Sequence, residues 1–237
     1  MKEIVFSDTL NTSKEFQPEP AYKHLPEWYK NKESYINNER KPSENNQTTG
    51  TIKRCMPVFD SITQGYLIFT YCDIWVSQKV EQTEDGSIIK SPWYQWPAYN
   101  PIEFHPIIQA DTHPNSNGNP YPKFVSPWSI KTPPGYSTMF FPPAHRENIF
   151  TVLPGVVDTD KYNYPVNFPM VLSDPNFEGL IPAGTPIVQL VPFKRDKWKI
   201  SFKDVKVEEM AQKILNGIHI RFFDSYKNYF RQKKEYR

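Results

Sequence analysis

The stretch LPGVVDTDKYNY, Leu153 to Tyr164, decides how the chain is read. A glycine and two valines lead into two aspartates one residue apart, Asp158 and Asp160. On an extended strand such a pair points to one face, where its mutual repulsion needs a cation, a ligand or solvent nearby. The aspartates therefore read either as residues that turn a hairpin or as a variant catalytic site.

Around this stretch the chain alternates short apolar runs with Pro, Gly and Asp. YSTMFF (136–141), PVNFPMVL (165–172) and TPIVQLVPF (185–193) read as strands. Upstream, TIKRCMPVF (51–59), GYLIFTYCDIWVS (65–77), QKVEQTEDGSIIKS (78–91) and KFVSPWSIK (123–131) read the same way, with a hairpin turn at Asp85-Gly86. DTHPNSNGNPYP (111–122) reads as a loop. The 24 prolines forbid long helices and central-strand positions where they fall, so many short strands are expected, with large rings filling the core.

Both ends differ from this middle. Residues 1–49 form a polar arm in which Pro26 suits the first turn of a short helix over about 26–32, and NNERKPSENNQTTG (37–50) has little to bury and reads as a loop. From 203 to 237, apolar residues at Val207, Met210, Ala211, Ile214, Leu215, Ile218 and Phe222 mark one face of a long amphipathic helix. Its end, DSYKNYFRQKKEYR, reads as an exposed helix terminus whose cations suit the dipole, or as a basic arm for a partner.

A net charge of +2 gives no reason to expect nucleic acid as the partner of the whole chain. No stretch approaches the roughly 18 apolar residues of a membrane span, and MKEIVFSDTL lacks the apolar core of a secretory signal, so a cytoplasmic protein (or, if phage-encoded, one in host cytoplasm or virion) is expected. Cys55 and Cys72 lie in apolar runs and read as buried, reduced thiols, with a single bridge as the alternative. His105, Asp111 and His113 have the residue types of a two-His, one-carboxylate site, but they flank prolines and open a loop, so no metal is expected. Trp93 with Trp96, and Trp128 with Tyr136, read as core rings before they read as a platform for a base or sugar.

The line from TPPGYSTMFF through PGVVDTD to IPAGTPIVQL resembles the dUTPase and dCTP deaminase superfamily, whose fold is a β-clip. The superfamily runs G-V-I-D-x-D-Y and, some twenty residues later, G-D-R-I-A-Q-L. Gly155, Val156, Val157, Asp158 and Asp160 match the first block; Gly184, Ile187, Gln189 and Leu190 match the second. The resemblance covers about Lys131 to Phe193. LPEWYK, WSIKTPPGYS, FPPAHRENIF, GVVDTD and AGTPIVQLVPFKR also resemble a family of bacterial and phage proteins of unassigned activity, over most of the chain.

The first resemblance implies that Asp158 orients the attacking water and that Arg146, Asp160, Lys161 and Gln189 lie near a nucleotide, with Mg2+ as cofactor if the chain is an enzyme. The family's tyrosine after the second Asp is here Lys161, with Tyr162 one residue later, on the opposite face of an extended strand. The Ser and Gly of its phosphate loop are missing from PPAHREN (142–148), and no glycine-rich tail follows. The expectation is thus a mainly β protein: an arm at 1–49, a β-clip-like domain at 50–202 and a C-terminal helix at 203–237. It is read as a non-catalytic accessory or assembly protein that needs no cofactor. It forms homo-oligomers, trimers by resemblance, and meets a protein partner through the C-terminal helix. The alternative is a nucleotide-binding or nucleotide-hydrolysing enzyme with a remodelled pocket.

Overall fold

Prolines set the strand pattern before any packing does. The computed structural model describes residues 2–11, 15–40, 49–97, 100–109, 111–114, 121–204, 206–214 and 226–237. By contacts the chain divides into one unit of Met1–Ala21 with Gly65–Arg195 and another of Tyr22–Gln64 with Asp196–Arg237.

Among the described residues the first unit carries fourteen strands: β1 (Val5–Asp8), β2 (Glu19–Pro20), β3 (Tyr66–Phe69), β4 (Ile74–Gln82), β5 (Ile88–Gln95), β6 (Ile102–His105), β7 (Tyr121–Phe124), β8 (Trp128–Lys131), β9 (Tyr136–Phe141), β10 (Phe150–Val152), β11 (Gly155–Val157), β12 (Phe168–Leu172), β13 (Gly179–Ile181) and β14 (Pro186–Lys194). They pair antiparallel in four sheets, ordered β11-β9-β14-β3-β2, β10-β12-β7-β6, β13-β4-β5 and β1-β8. The chain is mainly β, as read.

Each strand proline sits where no ladder bond is lost on a second side. Pro122 faces Phe104 on β6, while pairing with β12 stops at Lys123. Pro192 faces Thr138 on β9, while pairing with β3 stops at Leu190. Pro92 lies on the edge strand β5, and Pro186 opens β14. At the predicted turn between β4 and β5, Gly86 adopts φ +84, and the Asp85 carboxylate accepts from Thr83 Oγ1 at 2.5 Å and from the Ser87 amide at 3.0 Å.

The core lies between the sheets. Leu67, Ile68, Val188 and Leu190 fill the centre of β3 and β14. Phe140 of β9 meets Phe168 of β12 with ring centroids 5.2 Å apart, and both are buried. Trp128 is buried, as expected of a core ring, whereas Trp93 is half exposed with the Lys79 ammonium 5.8 Å from its ring centre.

In the second unit α1 (Glu27–Asn31) follows Pro26, and Tyr29 is buried against Phe59 while Trp28 stays exposed. The run read as a strand over 51–59 is instead a 3-10 turn, Ile52–Arg54, followed by α2 (Met56–Thr63). Pro57 explains the correction: it has no N–H to give a ladder, and the first helical turn asks for none. The 37–50 loop lies outside the described residues from 41 to 48.

The C-terminal helix α3 is described over Val207–Ile214, eight residues; the rest of the apolar face read to Phe222 lies outside the described residues. Past a single wide helical turn at Tyr226–Phe230, the basic end is not helical. Its cations face a carboxylate instead of a helix dipole: Arg231 Nη2 and Lys234 Nζ donate to the two oxygens of Asp60 at 2.7 and 2.8 Å. The thiol reading is corrected too: both cysteines are free, but Cys55 is exposed and Cys72 only partly buried.

Candidate functional site

The turn after β11 places Asp158, Thr159 and Asp160 in three different environments. Lys161 N and Tyr162 N both donate to the Asp158 carbonyl at 2.9 Å, so the backbone bends here and the two aspartates do not continue a strand. Thr159 points into the protein and is fully buried, its hydroxyl 2.8 Å from those of Thr132 and Thr138. Three hydroxyls satisfy one another there, as buried polar groups must.

Arg195, one residue past β14, gathers both aspartates. Its Nη1 donates to Asp160 Oδ1 at 2.9 Å, Asp158 Oδ1 at 3.2 Å, Ser137 Oγ at 3.1 Å and the Tyr136 carbonyl at 2.8 Å; Nη2 donates to Asp160 Oδ2 at 2.5 Å. Asp160 also accepts from the Gly135 amide at 2.8 Å, and Asp158 from Ser137 Oγ at 2.6 Å. The Arg195 guanidinium, followed by the Gly135 amide, holds the Asp160 carboxyl down to about 2. Asp160 is therefore an ion-pair anchor. Asp158, with its side chain 64% exposed, is the more available carboxylate.

No family model matches the chain, and no curated protein does. The site must be read from its own geometry.

The residues expected around a nucleotide do not converge. Gln189 is buried in the middle of β14, where its Oε1 accepts from the Ala144 amide at 2.8 Å and so pins the loop after β9. That loop leaves the C-terminal end of β9, whereas Asp158 sits beside Ser137 at the N-terminal end. At roughly 3.3 Å per residue the strand holds them about 17 Å apart. Arg146 lines an open cleft of about 590 Å³ with Thr151, Ser173, Asp174 and Phe177, and burial pushes its guanidinium below the usual value. Lys161 is exposed; Tyr162 lies edge-on to Tyr164.

Other candidates also find local roles. Asp73 accepts from the Ala183 amide at 2.8 Å. His105 Nδ1 lies 2.6 Å from Gln109 Oε1, and His113 Nδ1 lies 3.5 Å from the Tyr121 hydroxyl. Among the described residues no three His, Cys, Asp or Glu side chains form a metal-ligand group. No helix among them is long and apolar enough to cross a membrane.

Sequence reasoning missed Arg195, Ser137 and Thr159, and in the second unit the Asp60 cluster. PFKRDK marks a strand end with cations, but nothing in it says that its arginine returns to an acidic turn 35 positions away.

Proposed function

We propose that this chain is a non-catalytic accessory or assembly protein of bacterial or phage type. On this reading it has a β-clip scaffold with a degenerate dUTPase-like pocket and works as a homo-oligomer. The observation that carries the reading is the segment 196–204, DKWKISFKD, which belongs to no helix or strand. Trp198, Ile200 and Phe202 are 91%, 78% and 89% exposed. They alternate with Lys197, Lys199 and Ser201, so in an extended chain they occupy one face. Large apolar side chains gathered in the open mark an interaction surface, and strand addition supplies both a cover for that face and partners for its backbone.

The acidic turn supports the same reading. A general base or water-orienting carboxylate works through an unclaimed lone pair aimed at the substrate. Asp160 gives both oxygens to Arg195 and Gly135, and Asp158 gives one of its two to Ser137 and Arg195, so most of the pair's accepting capacity is spent within the chain.

Size-exclusion chromatography with light scattering tests the proposal. The wild type is expected to run as an oligomer, a trimer where the resemblance holds, and Trp198→Ser/Phe202→Ser as a smaller species with the same circular dichroism. A strictly monomeric wild type would overturn it. A thermal shift with a deoxynucleotide and Mg2+, with turnover abolished in Asp158→Asn, would establish the enzyme alternative instead.

A further inference from the structure

The second unit holds a cavity of about 320 Å³, near the lower end of the sizes that take small molecules. Its walls are of two kinds. Tyr22, Phe59 and Tyr236 contribute rings, and Arg231, Lys233, Lys234 and Arg237 contribute cations. Rings beside cations favour a ligand with a flat apolar part and an anionic part.

The cations fall into two pairs. Arg231 and Lys234 are tied to the buried Asp60, and the Arg231 guanidinium lies over the Phe59 ring at 5.4 Å, so this side is a built wall. Lys233 and Arg237 meet Glu235 at 3.0 and 3.2 Å, with the two cations 75% and 66% exposed. Ion pairs this open are weak and exchange easily. Glu235 thus stands where an incoming anion is drawn.

The four cationic side chains outnumber the two carboxylate side chains, Asp60 and Glu235. A wall with this positive bias suits a phosphate monoester, which is anionic at neutral pH.

We propose that this cavity binds a small aromatic phosphate monoester. Its ring lies against Tyr22 and Tyr236, and its phosphate takes Lys233 and Arg237 from Glu235. The proposal is independent of the assembly reading, which rests on the 196–204 segment.

Isothermal titration calorimetry on the full chain at low ionic strength tests it, with phenyl phosphate, inorganic phosphate and phenol as probes. Phenyl phosphate is expected to bind saturably, at least about tenfold more tightly than inorganic phosphate, with phenol undetected. Lys233→Ala/Arg237→Ala is expected to lose at least about tenfold while keeping the wild-type thermal transition, because both side chains are exposed. Glu235→Gln is expected to bind severalfold more tightly, since it removes the competing carboxylate while keeping the side-chain size.

Absence of saturable binding by phenyl phosphate at millimolar concentration would overturn the proposal. So would equal affinity for inorganic phosphate, unchanged affinity in Glu235→Gln, or capture of an acidic peptide without any binding of phenyl phosphate.

Discussion

Arg195 and Asp160 are joined twice, Nη1 to Oδ1 at 2.9 Å and Nη2 to Oδ2 at 2.5 Å, in a fork-to-fork arrangement. The Asp160 side chain is 2% exposed, so the guanidinium replaces the water that the carboxylate has lost. This pair ties the end of β14 to the turn after β11.

Its signature is acid sensitivity. The folded-state value of about 2 lies below the ordinary carboxylate value of about 3.9, so the stabilisation is complete above about pH 4 and is lost as pH falls towards 2. Asp60, Asp85 and Glu235 are shifted in the same direction, so the wild-type slope alone does not isolate Asp160. Asp160→Asn is expected to melt at a lower temperature at pH 7 and to show a shallower fall in Tm between pH 4 and 2, measured by calorimetry. Parallel Tm curves for the two proteins would refute the assignment.

Gly65 precedes β3 with φ +71, and a Cβ there would sit 1.9 Å from the Leu190 carbonyl oxygen. Gly65→Ala carries roughly 1–3 kcal/mol of backbone strain plus a clash with main chain that has no free rotamer to escape into. Gly86, at φ +84 in the β4–β5 turn, has nothing within 4 Å of its Cβ position. Chemical denaturation should therefore show Gly65→Ala to be clearly more destabilising than Gly86→Ala.

Gln189 is expected to act on stability and not on ligand binding. Truncation to Ala strands the Ala144 amide and opens a cavity in the centre of β14, at a cost of about 1–3 kcal/mol for the unsatisfied donor alone. Urea unfolding measures the loss. A Gln189→Ala variant of wild-type stability would show that the loop after β9 is held by other contacts.

The two thiols should differ in rate. Cys55 is exposed, while burial, with Asp73 adding to it, pushes the Cys72 thiol up to about 11. Since the thiolate is the reactive form, a disulfide reagent at pH 8 is expected to modify one cysteine rapidly and the second slowly, the slow one accelerating as pH rises towards 11. Cys55→Ser should abolish the fast phase.

Some misreadings have a common origin. TIKRCMPVF is apolar enough for a buried strand, and short apolar runs do not declare their period. Pro57, in the first turn of α2, was the local sign of a helix. The basic end was legible as cationic, but its counter-charge, Asp60, lies 171 positions from Arg231, and no pattern within the tail announces it. Asp158 and Asp160 were legible as a turn whose repulsion needs a cation, a ligand or solvent nearby; that Arg195 meets that need was not.

The sequence by itself determined the mainly β class, the Asp85-Gly86 hairpin, the short helix behind Pro26 and the strands β9, β12 and β14. Proline's missing N–H, glycine's freedom at positive φ and the two-residue period of strands all act within a few residues. Only the tertiary structure decided that Arg195 pairs with the acidic turn, that Gln189 accepts from the Ala144 amide in the loop after β9, and that the basic tail closes on Asp60. A carboxylate withdrawn from water takes whichever cation the fold brings to it, and distance along the chain carries no information about that choice.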